Sequence, residues 1–464
     1  MKNKIATLAI IFIILLCGMK VFSRYYAKKS VNVLIITVDM LRADRMGIYG
    51  YERNTTPVLD AFAKENMLFK KAFSQASWTP PSLATIFSGS YPTEHGISDW
   101  NSLANPKVKF LVDRLPKNYY QTAFITNHPS LLLDNLGFTK GYDKRIVLKS
   151  NDDRASKITR LSIEWLQKAV KRKKPFILWT HYFDAHEPFT PSEPFKTNFL
   201  TQYLGELPNE NVSVCEEENY YGLNCLAPYI VEKGNTNLNY YSLLYDAEIA
   251  EVDSAIGELI ESVKKLKLME NTIIVITSDH GEIIKRCEIQ QDKCIYMSHG
   301  TFLFHELIRV PLILHVPGQK GGITVPDNVA TIDVLPTLSY LTDTIANEKF
   351  RGLSLLPINK INKYRKIYTY ETRLNTIASV YRDWEFIKYD TYSEFYKFNN
   401  FSDEIVLFPN ENEPATSRLI GILENSVRGR LSTKYFEEIK LSDPYVEKLN
   451  SLGYAGSLKI NLQK

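Results

Sequence analysis

Val31-Asn32-Val33-Leu34-Ile35-Ile36-Thr37-Val38-Asp39 is a short apolar run that ends on a carboxylate, and Asn271-Thr272-Ile273-Ile274-Val275-Ile276-Thr277-Ser278-Asp279 repeats that plan far downstream. Runs this apolar and this short read as strands buried on both faces, as in parallel sheets. Gln121 to His128 and Pro175 to Phe183 read as two further strands, the first with polar residues at its carboxyl end, and Val310 to Val316 as a fifth. Helical patterns lie between them. Thr55 to Asn66 opens with Thr56-Pro57 as N-cap and first helical residue. Ala155 to Arg172 is amphipathic, and Tyr240 to Leu266 places Ile249, Val252, Ile256, Leu259 and Ile260 at helical spacing. Strands alternating with helices predict an α/β fold with a mainly parallel central sheet flanked by helices. In such sheets ligands bind beyond the carboxyl ends of the strands. From about Tyr364 the texture shifts to aromatic, alternating segments (Ile367 to Tyr370, Trp384 to Tyr389), which predicts a small C-terminal α+β subdomain. The expected organisation is an N-terminal segment over 1–29, a catalytic domain over 30–355 and the subdomain over 356–464.

With 464 residues the chain can bury a large core, and a net charge of +4 with scattered Lys and Arg gives no case for a nucleic-acid partner. The N-terminus places Lys2 and Lys4 before an apolar run from Ile5 to Met19, followed by Lys20, Arg24, Lys28 and Lys29. This reads as an uncleaved membrane anchor or a cleaved signal peptide, both of which export the remainder. Cys215, Cys225, Cys287 and Cys294 form two close pairs in polar stretches and predict two local disulfides; neither pair has the Cys-x-x-Cys spacing of a zinc site. The polar stretch from Thr190 to Asn239, which carries the first pair, is a long insertion. The expected location is the cell envelope, with the catalytic domain outside the cytoplasm, or secreted or periplasmic.

The chemistry gathers at strand ends. Asp39 and Asp279 each close a strand, so both carboxylates can meet at one sheet edge, and His280 adds a nitrogen. With the hydroxyl of Thr79 they make a candidate site for one divalent cation. Such a cation lowers the pKa of a bound hydroxyl and turns Thr79 into a nucleophile. Thr79 precedes Pro80-Pro81 and a helix-like run from Ser82, so a helix N-terminus there is expected to offer backbone N–H groups to an anion. His186 and His299 are candidates for protonating a leaving group, His186 also for binding substrate, and Asn127 for substrate contact. His95 is read as orienting the nucleophile helix; His181, His305 and His315 are read as structural.

The run Ser77-Trp78-Thr79-Pro80-Pro81-Ser82-Leu83, with Gly89 and Pro92-Thr93-Glu94-His95-Gly96 after it, resembles the nucleophile segment of the sulfatase family in the alkaline-phosphatase-like superfamily. Asp39 to Gly50, His181 to Phe189 and Ser278-Asp279-His280-Gly281-Glu282 follow the same family pattern, with Ser298-His299-Gly300 and Ile308 to Leu312 after them. Asp333 to Thr337 and Leu452-Gly453-Tyr454 are weaker echoes. The resemblance implies a sulfatase-like fold and a metal-dependent ester hydrolase in which His186 contacts substrate. The chain departs from the pattern at named positions. Threonine stands at the nucleophile position in place of cysteine or serine, Leu83 in place of arginine, Asn127 in place of lysine, and Met40 in place of a second aspartate.

The departures bear on the reaction. Family members convert cysteine or serine to formylglycine, an aldehyde that threonine cannot yield. A threonine phosphate adduct is easier to resolve than a threonine sulfate, because water or an alcohol can attack phosphorus. Loss of the aspartate at Met40 favours manganese, magnesium or zinc over calcium. The expectation is an exported enzyme that hydrolyses or transfers a sulfuric or phosphoric ester through Thr79, with an anionic ester, such as a glycan or lipid head group, as substrate. The alternatives are a phosphoethanolamine- or phosphoglycerol-type head-group transferase and a non-catalytic envelope protein that binds an anionic glycan or lipid.

Overall fold

A computed structural model describes residues 31–148, 154–216, 222–288, 293–346 and 350–399, with shorter stretches at 403–406, 414–428, 430 and 437–439. The N-terminal anchor or signal segment and the Leu452-Gly453-Tyr454 echo lie outside the described residues. Among the described residues no helix is long and apolar enough to cross a membrane.

The elements used below are, in chain order, β1 (Asn32–Val38), α1 (Pro57–Glu65), β2 (Met67–Phe73), α2 (Thr79–Ser88), β3 (Gln121–Thr126), β4 (Lys144–Val147), α3 (Ala155–Lys171), β5 (Phe176–Tyr182), α4 (Leu238–Lys265), β6 (Thr272–Ser278), β7 (Ile283–Glu288), β8 (Lys293–Ser298), β9 (Arg309–His315) and β10 (Ile323–Ala330). Eight of the strands form one sheet in the order β10-β2-β9-β6-β1-β5-β3-β4. From β6 to β4 every neighbouring pair is parallel; β9 runs antiparallel to both β6 and β2. This is the mainly parallel sheet that the apolar runs predict. Side chains of β1 alternate between two cores: Leu34, Ile36 and Val38 pack with α1, α3 and α4, while Val33 and Ile35 pack with α2 on the opposite face. Both faces are covered, which is why β1 and β6 read as continuous apolar runs and not as alternating ones.

The register places the chemistry. Val38 of β1 lies opposite Ser278 of β6 and Tyr182 of β5, so Asp39 and Asp279 leave adjacent strands at the same level. A second sheet of five antiparallel strands spans Ile367 to Val406, with α5 (Pro414–Val427) against it, in the C-terminal region where the aromatic alternation begins.

The insertion between β5 and α4 contains the disulfide Cys215–Cys225, and the hairpin β7–β8 contains Cys287–Cys294. The two meet. Tyr296 donates its N–H to the Gly222 carbonyl at 2.9 Å and Asn224 to the Cys294 carbonyl at 2.7 Å.

Candidate active site

Thr79 is the first residue of α2, and every residue of that helix is buried. Its Oγ1 lies 3.4 Å from Asp39 Oδ2 and 3.2 Å from His280 Nε2. The His280 Nε2 is in turn 3.4 Å from Asp39 Oδ1 and 3.5 Å from Asp279 Oδ2. His280 Nδ1 is 2.9 Å from the Gly281 carbonyl, which can only accept, so Nδ1 carries the ring proton and Nε2 faces the carboxylates as a lone-pair donor. The sequence thus brings Thr79, Asp39, Asp279 and His280 together as expected.

These residues fit a divalent cation. Asp39 Oδ1 and Asp279 Oδ2 are buried with no hydrogen-bond partner, a costly arrangement for carboxylates unless a cation compensates them. Without one, burial and then repulsion from Asp279 push Asp39 up to about 8. The other Asp279 oxygen is held by backbone: Oδ1 accepts the N–H of His280 at 2.9 Å and of Met40 at 3.3 Å. Met40 reaches it through a left-handed turn, φ 58°, which a non-glycine residue adopts at a cost of roughly 1–2 kcal/mol. The Met40 carbonyl accepts the Tyr245 hydroxyl at 2.6 Å, which anchors the turn to α4.

His181 was read as structural, yet it belongs to this group. Its Nε2 is 3.3 Å from Asp39 Oδ2, and Asp39, His181 and Asp279 offer ligand atoms within 4.8 Å of one another. Its Nδ1 rests 2.8 Å from Thr37 Oγ1, which accepts the Trp179 indole N–H at 2.8 Å. Burial pushes His181 down to about 4, so the ring is neutral. The signal was present, since His181 sits at the register position facing Thr37, two residues before Asp39.

A second group lies beside the first. The His299 ring stacks on His280 with centroids 5.0 Å apart and meets His186 edge-on at 5.0 Å. His299 Nδ1 is 2.8 Å from Glu282 Oε2. His186 Nδ1 is 2.7 Å from the Glu187 carbonyl oxygen and so carries its proton. Tyr229 donates its hydroxyl to Glu187 Oε1 at 3.2 Å. Burial, then repulsion from Glu187, drives Glu282 well above the ordinary carboxylate range, and burial drives His299 well below that of histidine. Sequence reasoning missed Glu187 and Glu282, although each adjoins a motif residue, His186 and Gly281. The hairpin explains the pairing: Ile283 of β7 lies opposite Ser298 of β8, so Glu282 and His299 flank its open end.

Both ends of the Asn127 amide make bonds within the fold: Nδ2 donates to Asp184 Oδ2 at 2.8 Å and Oδ1 accepts the Phe183 N–H at 2.9 Å, tying β3 to β5. The start of α2 offers few anion donors. Pro80 and Pro81 have no N–H, and Ser82 donates to the Trp78 carbonyl at 3.3 Å. Leu83, at the family's arginine position, is fully buried in the apolar cluster that includes Trp78, Phe87 and Trp179. His95 pins α2 from the following turn: its Nδ1 accepts the Ile97 N–H at 3.1 Å, leaving Nε2–H to donate to Thr85 Oγ1 at 3.0 Å.

Comparison with known proteins fits this geometry. The family profile described as Sulfatase matches residues 31–344. The uncharacterized sulfatase YidJ of Escherichia coli K12 is 24% identical over 372 residues, 72% of each chain. Mouse iduronate 2-sulfatase is 26% identical over 356 residues, covering 64% of this chain and 61% of the relative. Among solved structures, BT4656 in complex with its substrate D-glucosamine-2-N,6-O-disulfate superposes with a TM-score of 0.68 at 19% identity, over 86% of this chain and 98% of that one. The phosphonate monoester hydrolase of Agrobacterium radiobacter superposes with a TM-score of 0.67 at 16% identity, over 89% and 98%. The structural likenesses carry the fold, the profile match spans more than half of the sequence, and the chain belongs to the sulfatase family.

Proposed function

We propose that the chain is an exported hydrolase or transferase of an anionic ester, phosphoric in preference to sulfuric, with Thr79 as its nucleophile. The observation that carries this reading is the placement of Thr79 Oγ1 within 3.4 Å of both Asp39 and His280 at the start of a buried helix. Asp39, Asp279 and His280, with His181 beside them, would hold a divalent cation, which would supply Lewis-acid polarisation of the ester and lower the pKa of the Thr79 hydroxyl. Calcium suits this set least, because two imidazoles and only two carboxylates form it; manganese, magnesium or zinc fits the donors better.

Thr79 Oγ1 attacks phosphorus and the bond to the leaving oxygen breaks. The proton given up by the threonine hydroxyl balances the one gained by the leaving alcohol. Water or an acceptor alcohol then attacks the same phosphorus and Thr79 regains its proton. Threonine cannot form the aldehyde on which formylglycine chemistry depends, and Leu83 sits in apolar core where the family's arginine would stand. Both favour phosphorus. The sulfated sugar bound by BT4656 and the phosphonate hydrolase among the structural neighbours support an anionic ester as substrate class. Two disulfides and the basic, then apolar, N-terminus support export.

Intact-mass spectrometry after soaking with nitrophenyl phosphate, phosphodiester, phosphonate and sulfate esters tests the reading. A gain of one phosphoryl or phosphonyl group on the Thr79 peptide is expected, absent in Thr79→Ala. Full activity in Thr79→Ala would overturn the assignment.

A further inference from the structure

We propose that His186, Glu187 and His299 form a second cation site, adjoining the first, that takes a zinc-class divalent ion. It extends the reading above and rests on the same catalytic cleft. The three residues offer ligand atoms within 4.8 Å of one another. Glu187 is 3% exposed, and its Oε2 is buried with no hydrogen-bond partner, while Oε1 holds Tyr229. The His186 ring is already set for coordination, with Nδ1 committed to the Glu187 carbonyl and Nε2 left as the basic nitrogen. His299 Nδ1 lies 2.8 Å from Glu282 Oε2. A carboxylate beside an imidazole nitrogen is the pairing that orients metal-binding histidines.

Charge argues the same way. Asp39, Asp279, Glu187 and Glu282 are four carboxylates, all buried, within one cluster. Arg42 and Arg373 lie near this cluster and bind other groups as well. Arg42 holds Asp44 and the Glu282 carbonyl, and Arg373 holds Glu371 and the Gly300 carbonyl. One divalent ion balances Asp39 and Asp279 and leaves the buried Glu187 Oε2, beside His186 and His299, uncompensated. A second ion would compensate it. The prolines at the start of α2 make it more necessary, because that helix contributes few N–H groups to the anion. Two imidazoles and one carboxylate are the donors of zinc and its neighbours, with positions left open for a ligand oxygen.

The test uses the exported chain, stripped with chelator and titrated with zinc and, separately, manganese, with bound metal counted by native mass spectrometry and elemental analysis. Two equivalents of zinc are expected in the wild type, one in Glu187→Gln, one in His186→Gln and one in Asp279→Asn. Thermal unfolding of each stripped variant separates loss of a ligand from loss of fold, and the two independent ligand variants guard against one that misfolds. A wild type that binds one equivalent, lost in Asp279→Asn and kept in Glu187→Gln, overturns the second site and leaves the first intact. Retention of two equivalents in both Glu187→Gln and His186→Gln overturns it as well. Absence of any bound ion overturns both sites.

Discussion

Restoring the family's arginine at position 83 should unfold this protein. Leu83, which stands where the family pattern has arginine, has no exposed surface and lies among Trp78, Phe87 and Trp179. Leu83→Arg removes a buried leucine, a loss of about 2 kcal/mol in transfer free energy. It also places a guanidinium in an apolar cluster without a partner, at an effective cost of several kcal/mol even after local relaxation. The combined destabilisation exceeds about 5 kcal/mol, comparable with the whole stability of an ordinary domain. At roughly 2 °C per kcal/mol for a domain of this size, the melting temperature should fall by at least about 10 °C. Leu83→Met, which keeps volume and polarity, should cost less than about 1.5 kcal/mol. Thermal and urea unfolding of the purified variants measures both. A soluble Leu83→Arg that melts within about 3 °C of the wild type would refute the reasoning, because the side chain would then have a route out of the core toward the anion site.

Three further outcomes follow from the geometry. Glu282→Gln replaces the carboxyl partner of His299 Nδ1 at 2.8 Å and should lower kcat about 10- to 100-fold with little change in KM, read by steady-state kinetics on the best ester. Asp39 has a raised proton affinity in the cation-free fold, so that state binds a proton which the unfolded chain has released between about pH 4 and pH 8. Stability of chelated protein should therefore fall as pH rises through that window, by at most ~1.4 kcal/mol per pH unit, and the slope should flatten on adding manganese or zinc, as urea unfolding at several pH values would record. Replacing Cys287 and Cys294 together by serine frees a loop with a sequence separation of 7 and should cost about 2.5 kcal/mol by the chain-entropy relation. Thermal unfolding measures that loss, and kcat should fall with it, because the same hairpin carries Glu282 and His299.

The central sheet was legible because its strands are buried on both faces and so read as plain apolar runs. The strand Met67–Phe73 was not, because Lys70 and Lys71 interrupt the run; they are half-buried in the structure, Lys70 donating to the Ile48 carbonyl at 2.5 Å and Lys71 pairing with Asp383. In the site, residues that close strands could be placed from sequence, since the end of an apolar run marks the sheet edge. Glu187 and Glu282 could not. Their neighbourhood depends on how the β7–β8 hairpin folds back over the cleft, a long-range contact with no local pattern. Asn127 closes a strand and bonds to Phe183 and Asp184 after the neighbouring one, a contact that nothing in its own segment announces.

The start of α2 has one more consequence. Every candidate ligand sits at a strand end, in the loop after β5 or beside the hairpin, whereas the proposed nucleophile rides on the first turn of a helix. Holding charge and attacking the ester are therefore delegated to separate pieces of backbone. A lineage can exchange the reactive side chain, and with it the kind of ester it resolves, while the cradle that grips the anion stays as it was.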